Sequence, residues 1–178
     1  MSLRRMKYRV QNDEVLYLEG PLPAVTAADL EELKARARRS PLQRARLCAH
    51  ADPGEAIHEM LIVLVRGGYI RPHRHPGKSE SFHVVSGTVD LAFFHEDGRL
   101  AEVLAMGEFG HPGRSFYCRM PEGLYHTLLI RSEELIVHET TNGPFDPSAT
   151  DFAPWAPEAR DAGACQAFLA DLEARLAA

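Results

Sequence analysis

The chain has 178 residues, 45% of them apolar, which is enough for one sizeable core and lies within the range of a single domain. A net charge of −5 and a pI near 6.0 argue against nucleic acid or an anionic membrane surface as a partner, since both select a basic field. Cys48, Cys118 and Cys165 are far apart and show no C-x-x-C spacing, so they suggest reduced thiols of a cytoplasmic protein rather than a disulfide framework or a structural zinc site.

Along the chain, Val15, Leu16, Tyr17 and Leu18 read as a strand able to pair across a subunit interface, and a homodimer is expected on that basis. Thr26 followed by Asp29 predicts a helix start, and the alanine-rich, charged stretch runs to Arg39 and stops at Ser40-Pro41. Leu30, Leu33 and Ala37 share one face of that helix, which would pack outside a barrel or against a second subunit. Arg36, Arg38, Arg39, Arg44 and Arg46 form a local basic run, read as a solvated helix face leading into a strand rather than a polyanion site.

From Arg46 the texture changes to short runs of Val, Ile, Leu, Phe and Tyr broken by Gly, Pro and Asp-Gly, the pattern of an all-β barrel or sandwich. Strands are predicted near Arg46–His50, Ile57–Val65, Tyr69–Arg71, Ser81–Val85, Thr88–Glu96, Leu100–Ala105, Ser115–Met120, Tyr125–Arg131 and Leu135–Thr141. The longest apolar run, Met60 to Val65, is too short to span a bilayer, and the first residues lack the apolar core of a signal peptide. Asp97-Gly98 is the clearest hairpin turn, because both residues tolerate positive φ; Ser86-Gly87 is a second. After Thr141 a Pro-rich segment carries Phe145, Phe152 and Trp155, aromatics that suggest a loop packed over the barrel mouth. Cys165, Phe168, Leu169, Leu172 and Leu176 then recur at helical spacing. The layout is an N-terminal extension over 1–45, a barrel over 46–141, and a tail and helix over 142–178 packed back on it.

The chemistry concentrates in G-G-Y-I-R-P-H-R-H-P-G-K-S-E-S-F-H-V-V-S-G, Gly67 to Gly87. His73 and His75 are two apart, so on a strand both imidazoles project to one side as a chelate. Pro76-Gly77 resets the phase and brings Glu80 back to the same interior. Two imidazoles and a carboxylate suit a borderline divalent metal. A fourth ligand, His126, follows the Pro121/Gly123 turn and begins a run in which His126, Leu128 and Ile130 share a face.

Gly67-x5-His73-x-His75-x4-Glu80-x6-Gly87 resembles the first cupin motif at all five fixed positions, and Pro121-x-Gly123-x2-His126 is similar to the centre of the second. Ser115 stands where glycine is usual and Ile130 where asparagine is usual; neither is a metal ligand. More narrowly, Arg71 to Pro76, Gly143 to Pro157 and S-P-L-Q-R-A-R from Ser40 to Arg46 resemble the WbuC-type cupin-fold metalloproteins. The resemblance implies a cupin double-stranded β-helix, a jelly-roll barrel with an N-terminal and a C-terminal helix. It also implies a metal held by His73, His75, Glu80 and His126, and a link to O-antigen or sugar metabolism.

Arg71 shares strand parity with His73 and His75, which makes it a candidate to hold an anionic group beside the metal; the alternative is a rim arginine in an ordinary salt bridge. Glu80 is a candidate base as well as a ligand. Lys78 is read as an exposed loop residue, and Glu139 as either a supporting acid or the end of a strand. Phe82, Val84, Leu128 and Ile130 should line the interior, with His83 facing away; His50 and His58 are read as structural or exposed. The expectation is a metal-dependent enzyme acting on a small, anionic or sugar-like ligand. Iron would permit dioxygenase-type chemistry; zinc, nickel or manganese would permit Lewis-acid or isomerase chemistry. The alternatives are a non-catalytic metal-dependent sugar or small-acid binder and a structural ion tying strands together.

Overall fold

The computed structural model describes residues 6–177; the first residues, on which the signal-peptide reading rests, lie outside them. The elements are β1 (Tyr8–Val10), β2 (Val15–Leu18), α1 (Ala27–Arg39), β3 (Arg44–Cys48), β4 (Ile57–Val65), β5 (His73–Arg74) and β6 (Glu80–Ser86). They continue with β7 (Thr88–Phe94), β8 (Leu100–Gly107), β9 (Tyr117–Met120), β10 (Tyr125–Ile130), β11 (Glu134–Asn142), β12 (Asp151–Phe152) and α2 (Ala162–Ala177). Two sheets result, ordered β1-β2-β3-β4-β11-β6-β9 and β12-β5-β10-β7-β8. From β4 onward the chain alternates between them, except for the β7–β8 hairpin within the smaller sheet, which wraps it into a jelly roll as expected.

The period-2 alternation of the strands puts one apolar face of each sheet inward. Ile62, Leu64, Phe82, Val84, Leu91, Leu128 and Val137 meet there and are all buried. The outer face of the larger sheet is covered by α1, whose Leu33 and Ala37 pack on Ala45, Leu47, Val63 and Ile136. A fully buried leucine such as Leu33 stabilises by about 1.5–3 kcal/mol, so the helix is fixed to its own sheet. It starts as read: the Asp29 carboxylate accepts from the Thr26 N–H and hydroxyl, both at 2.7 Å. The smaller sheet is covered by α2 and the tail, with Leu169, Leu172, Ala153 and Ala156 on Ala92 and Leu129.

Three readings change. Val15–Leu18 is not a free strand for a second subunit, because β2 pairs with β1 on one side and, in parallel, with β3 on the other. The predicted strand at Tyr69–Arg71 is absent; pairing begins only at His73–Arg74. Pro72 has no N–H to give a ladder, and the Ile70 carbonyl is already taken by the buried Thr127 hydroxyl. β9 begins at Tyr117, since Ser115 makes only an isolated bridge to Met106.

Candidate metal centre and the cavity beside it

The sheet register brings the expected donors together. His73 of β5 lies directly opposite His126 of β10, with ring centroids 4.6 Å apart. Just past the two-residue β5, the His75 ring sits 4.9 Å from that of His73 and 6.2 Å from that of His126. Glu80 comes from the other sheet, where it opens β6 between Thr141 and Met120. Its Oε1 lies 3.3 Å from His75 Nε2 and its Oε2 3.3 Å from His126 Nε2. Three imidazoles from one layer thus face a carboxylate from the other.

Each ring is turned by its other nitrogen. His73 Nδ1 is 2.8 Å from the Arg71 carbonyl oxygen and His126 Nδ1 is 2.9 Å from that of Leu124. A carbonyl only accepts, so both Nδ1 atoms carry a proton, which leaves each Nε2 as the nitrogen turned toward the centre. A carbonyl partner on the far nitrogen is the usual arrangement for a histidine that ligates metal. Burial, with the neighbouring His126 adding to it, drives the His73 pKa down to about 3, so that ring is neutral. Burial pushes Glu80 the other way, but hydrogen bonding and charge from His126, then His75 and His73, outweigh it and hold the carboxyl below its usual range.

An ionised, 7% exposed carboxylate facing the Nε2 atoms of two rings calls for a positive charge between them, from a proton or a metal ion. A charge-assisted N–H···O bond closes to about 2.7–2.9 Å. Two ligands at about 2.1 Å from one ion stand about 3.0–3.4 Å apart, the range in which the 3.3 Å contacts fall. The donor chemistry therefore fits a divalent ion. Among the described residues no three such donors are set to hold an ion as they stand; Glu80 instead pairs with His75 and His126.

Arg71 is turned elsewhere. Its guanidinium lies 5.1 Å from the Phe152 ring centre and reaches the Ala153 carbonyl at 3.4 Å, so it holds the tail. Strand parity does not extend back through Pro72 to Arg71, because only His73 and Arg74 pair. The tail reaches the centre at Phe152, opposite His73, while Trp155 packs on Phe94 on the outer face of the smaller sheet, donating to the Glu96 carbonyl at 3.1 Å. His83 is exposed and faces Phe116, away from the centre as expected.

A cavity of about 470 Å³ opens from His75 and Glu80 along the inner face of the larger sheet to Arg46, Cys48 and Tyr17. Three of its residues escaped the sequence reading. His50 and His58 are buried in its wall, stacked with centroids 4.1 Å apart, and among the described residues His58 Nε2 has no hydrogen-bond partner. Arg46 points into it from β3. The signal was available in R-A-R-L-C, where Ala45 and Leu47 pack under α1 and so leave Arg46 and Cys48 for the interior. Glu139 also faces the cavity; burial, then the charge of Glu80, raises its pKa to about 8, with Arg46 opposing. Burial lifts the Cys48 thiol to about 11, which leaves it un-ionised.

A family model described as a domain of unknown function (DUF6016) matches residues 25–106. No curated protein matches the sequence. Among solved structures, CapF with the inhibitor 3-isopropenyl-tropolone is similar over 64% of this chain and 32% of its own, at 20% identity and a TM-score of 0.50. A recombinant oxalate oxidase in complex with glycolate is similar over 65% of this chain and 58% of its own, at 18% identity and a TM-score of 0.49. An oxalate decarboxylase mutant of Bacillus subtilis is similar over 61% of this chain and 27% of its own, at 19% identity and a TM-score of 0.48. The chain spans less than two thirds of each of these proteins. Its two sheets, with the alternation of strands between them, have the cupin fold.

Proposed function

We propose that the chain binds one divalent transition-metal ion through His73, His75, Glu80 and His126 and works as a metal-dependent enzyme on a small molecule, of oxygenase or Lewis-acid type. The observation that supports this most is the pair of 3.3 Å contacts from Glu80 to two Nε2 atoms, in a set where carbonyls occupy the Nδ1 atoms of His73 and His126. When bound, the ion would supply positive charge and open positions for oxygen atoms of a substrate or for O₂. His73, His75 and His126 would hold it through imidazole nitrogens, and Glu80 would offset its charge from the facing sheet. The cavity gives a small molecule access on the side of His75 and Glu80, and the apolar Met60 and Phe145 in its wall limit water there. The WbuC-type reading, with a role in O-antigen or sugar metabolism, belongs to the same proposal and is supported by the Arg71 to Pro76 and Gly143 to Pro157 motifs.

Oxygen uptake and product formation by iron-, zinc-, nickel- and manganese-loaded protein, offered diketones, thiols and keto acids, test the enzymatic part. Turnover dependent on one of these metals supports it. Binding of such compounds without turnover under any metal replaces the enzyme with a metal-dependent binder.

A further inference from the structure

We propose that Arg46 anchors the far end of the ligand, so that the cavity takes a small bifunctional acid with one oxygen function at the His75/Glu80 end and a second anionic group on the guanidinium. This rests on the metal-centre reading above.

Arg46 differs from Arg36, Arg38 and Arg44 of its basic run in having no acidic partner, and from the exposed Arg39 in lining a cavity. Arg36 pairs with Glu32 at 3.7 Å, Arg38 with Glu134 at 2.6 Å and Arg44 with Glu14 at 3.1 Å, all outside the cavity. Arg46 is half-buried and lines the cavity, and among the described residues its guanidinium has no hydrogen bond or ion pair, while its backbone N–H donates to the Glu14 carbonyl at 2.7 Å. Its planar fork of donors faces the cavity and suits a carboxylate held by two parallel bonds. The other cation of the cavity, Lys78, is engaged at the mouth, donating to the Pro144 carbonyl at 3.0 Å beside Asp146.

The register fixes where the two ends lie. Arg46 stands opposite Ile62 of β4, which stands opposite Val137 of β11, which stands opposite Val84 of β6, the strand that Glu80 opens. Arg46 and Glu80 are therefore three strands apart, about 14 Å across the sheet at about 4.8 Å per strand, and displaced by the four residues from Val84 to Glu80 along it, about 13 Å at about 3.3 Å per residue. Both side chains reach into the space between and shorten that span. Between the two ends Met60 and Cys48 offer apolar contact to a short carbon chain.

The test uses full-length protein loaded with zinc and titrated calorimetrically with succinate, glutarate, adipate and pimelate. Each is paired with the monocarboxylate of the same chain length, and the series is repeated on Arg46→Met and Arg46→Gln variants. The expected result is one dicarboxylate length that binds about tenfold or more tighter than its monocarboxylate. That preference should disappear in both variants, while monocarboxylate affinity stays unchanged. A wild-type protein that binds the monocarboxylates but shows no gain from a second carboxylate at any length overturns the proposal, whatever the variants do. A gain that survives in the variants overturns it too. Protein that takes up no zinc fails earlier, at the metal centre, and removes this inference with it.

Discussion

His126 is oriented by Leu124: its Nδ1 lies 2.9 Å from the Leu124 carbonyl oxygen, two residues back, and this turns Nε2 toward Glu80. His73 repeats the device on the Arg71 carbonyl. Backbone geometry, which no side-chain substitution removes, therefore selects the tautomer that leaves Nε2 free to ligate.

His126→Ala should weaken metal binding by more than the roughly 10–100-fold lost when only a supporting partner of a ligand is removed. A competition titration against a coloured chelator reads this, with circular dichroism showing that the fold is kept. An unchanged affinity would exclude His126 from the ligand set.

Thr127→Val should destabilise the protein by about 1–3 kcal/mol in urea unfolding, because it leaves the Ile70 carbonyl without its donor. Thr127 is completely buried, and its hydroxyl ties the segment before His73 to β10. A loss below about 0.5 kcal/mol would mean that water or another donor replaces the hydroxyl.

Gly87→Ala should cost at least about 2 kcal/mol. Gly87 has φ +91°, and an added Cβ would meet the Glu134 carbonyl oxygen at 2.4 Å and Ser132 Oγ at 2.5 Å. The same unfolding measurement applies, and a neutral result would contradict the tight turn between β6 and β7.

Glu139 gives a pH dependence in protein stripped of metal. Its folded pKa, raised to about 8 by burial and then by Glu80, lies above the ordinary value of 4.5. Between these values the folded state holds a proton that the unfolded state has released, so stability falls as pH rises through the window and levels off above it. Glu139→Gln should flatten that decline in chemical denaturation followed from pH 5 to 9. An equal slope in wild type and variant would assign the dependence to other groups.

That His73, His75 and Glu80 converge was legible because a two-residue spacing on a strand and a Pro-Gly break leave few ways to arrange them. The strands β4, β6, β10 and β11 were legible for a similar reason, since alternation over several residues fixes both the element and its faces. Arg71 was misplaced because parity was carried across Pro72, where pairing does not exist. Arg46 was read as part of a solvated run because it follows a helix in a stretch of like charges, and the alternation in R-A-R-L-C that turns it inward takes its sense only once Ala45 and Leu47 are placed under α1. The partnership of β2 with β3 is a parallel, long-range pairing for which local pattern carries no signal.

The most direct test of the metal centre is elemental analysis of protein purified without added metal, alongside a Glu80→Gln/His126→Ala variant treated identically. About one equivalent of a divalent transition metal per wild-type chain, lost from a folded variant, is the expected result. Wild-type protein that neither carries nor takes up such an ion, or a variant that retains it in full, would contradict a centre built from these side chains.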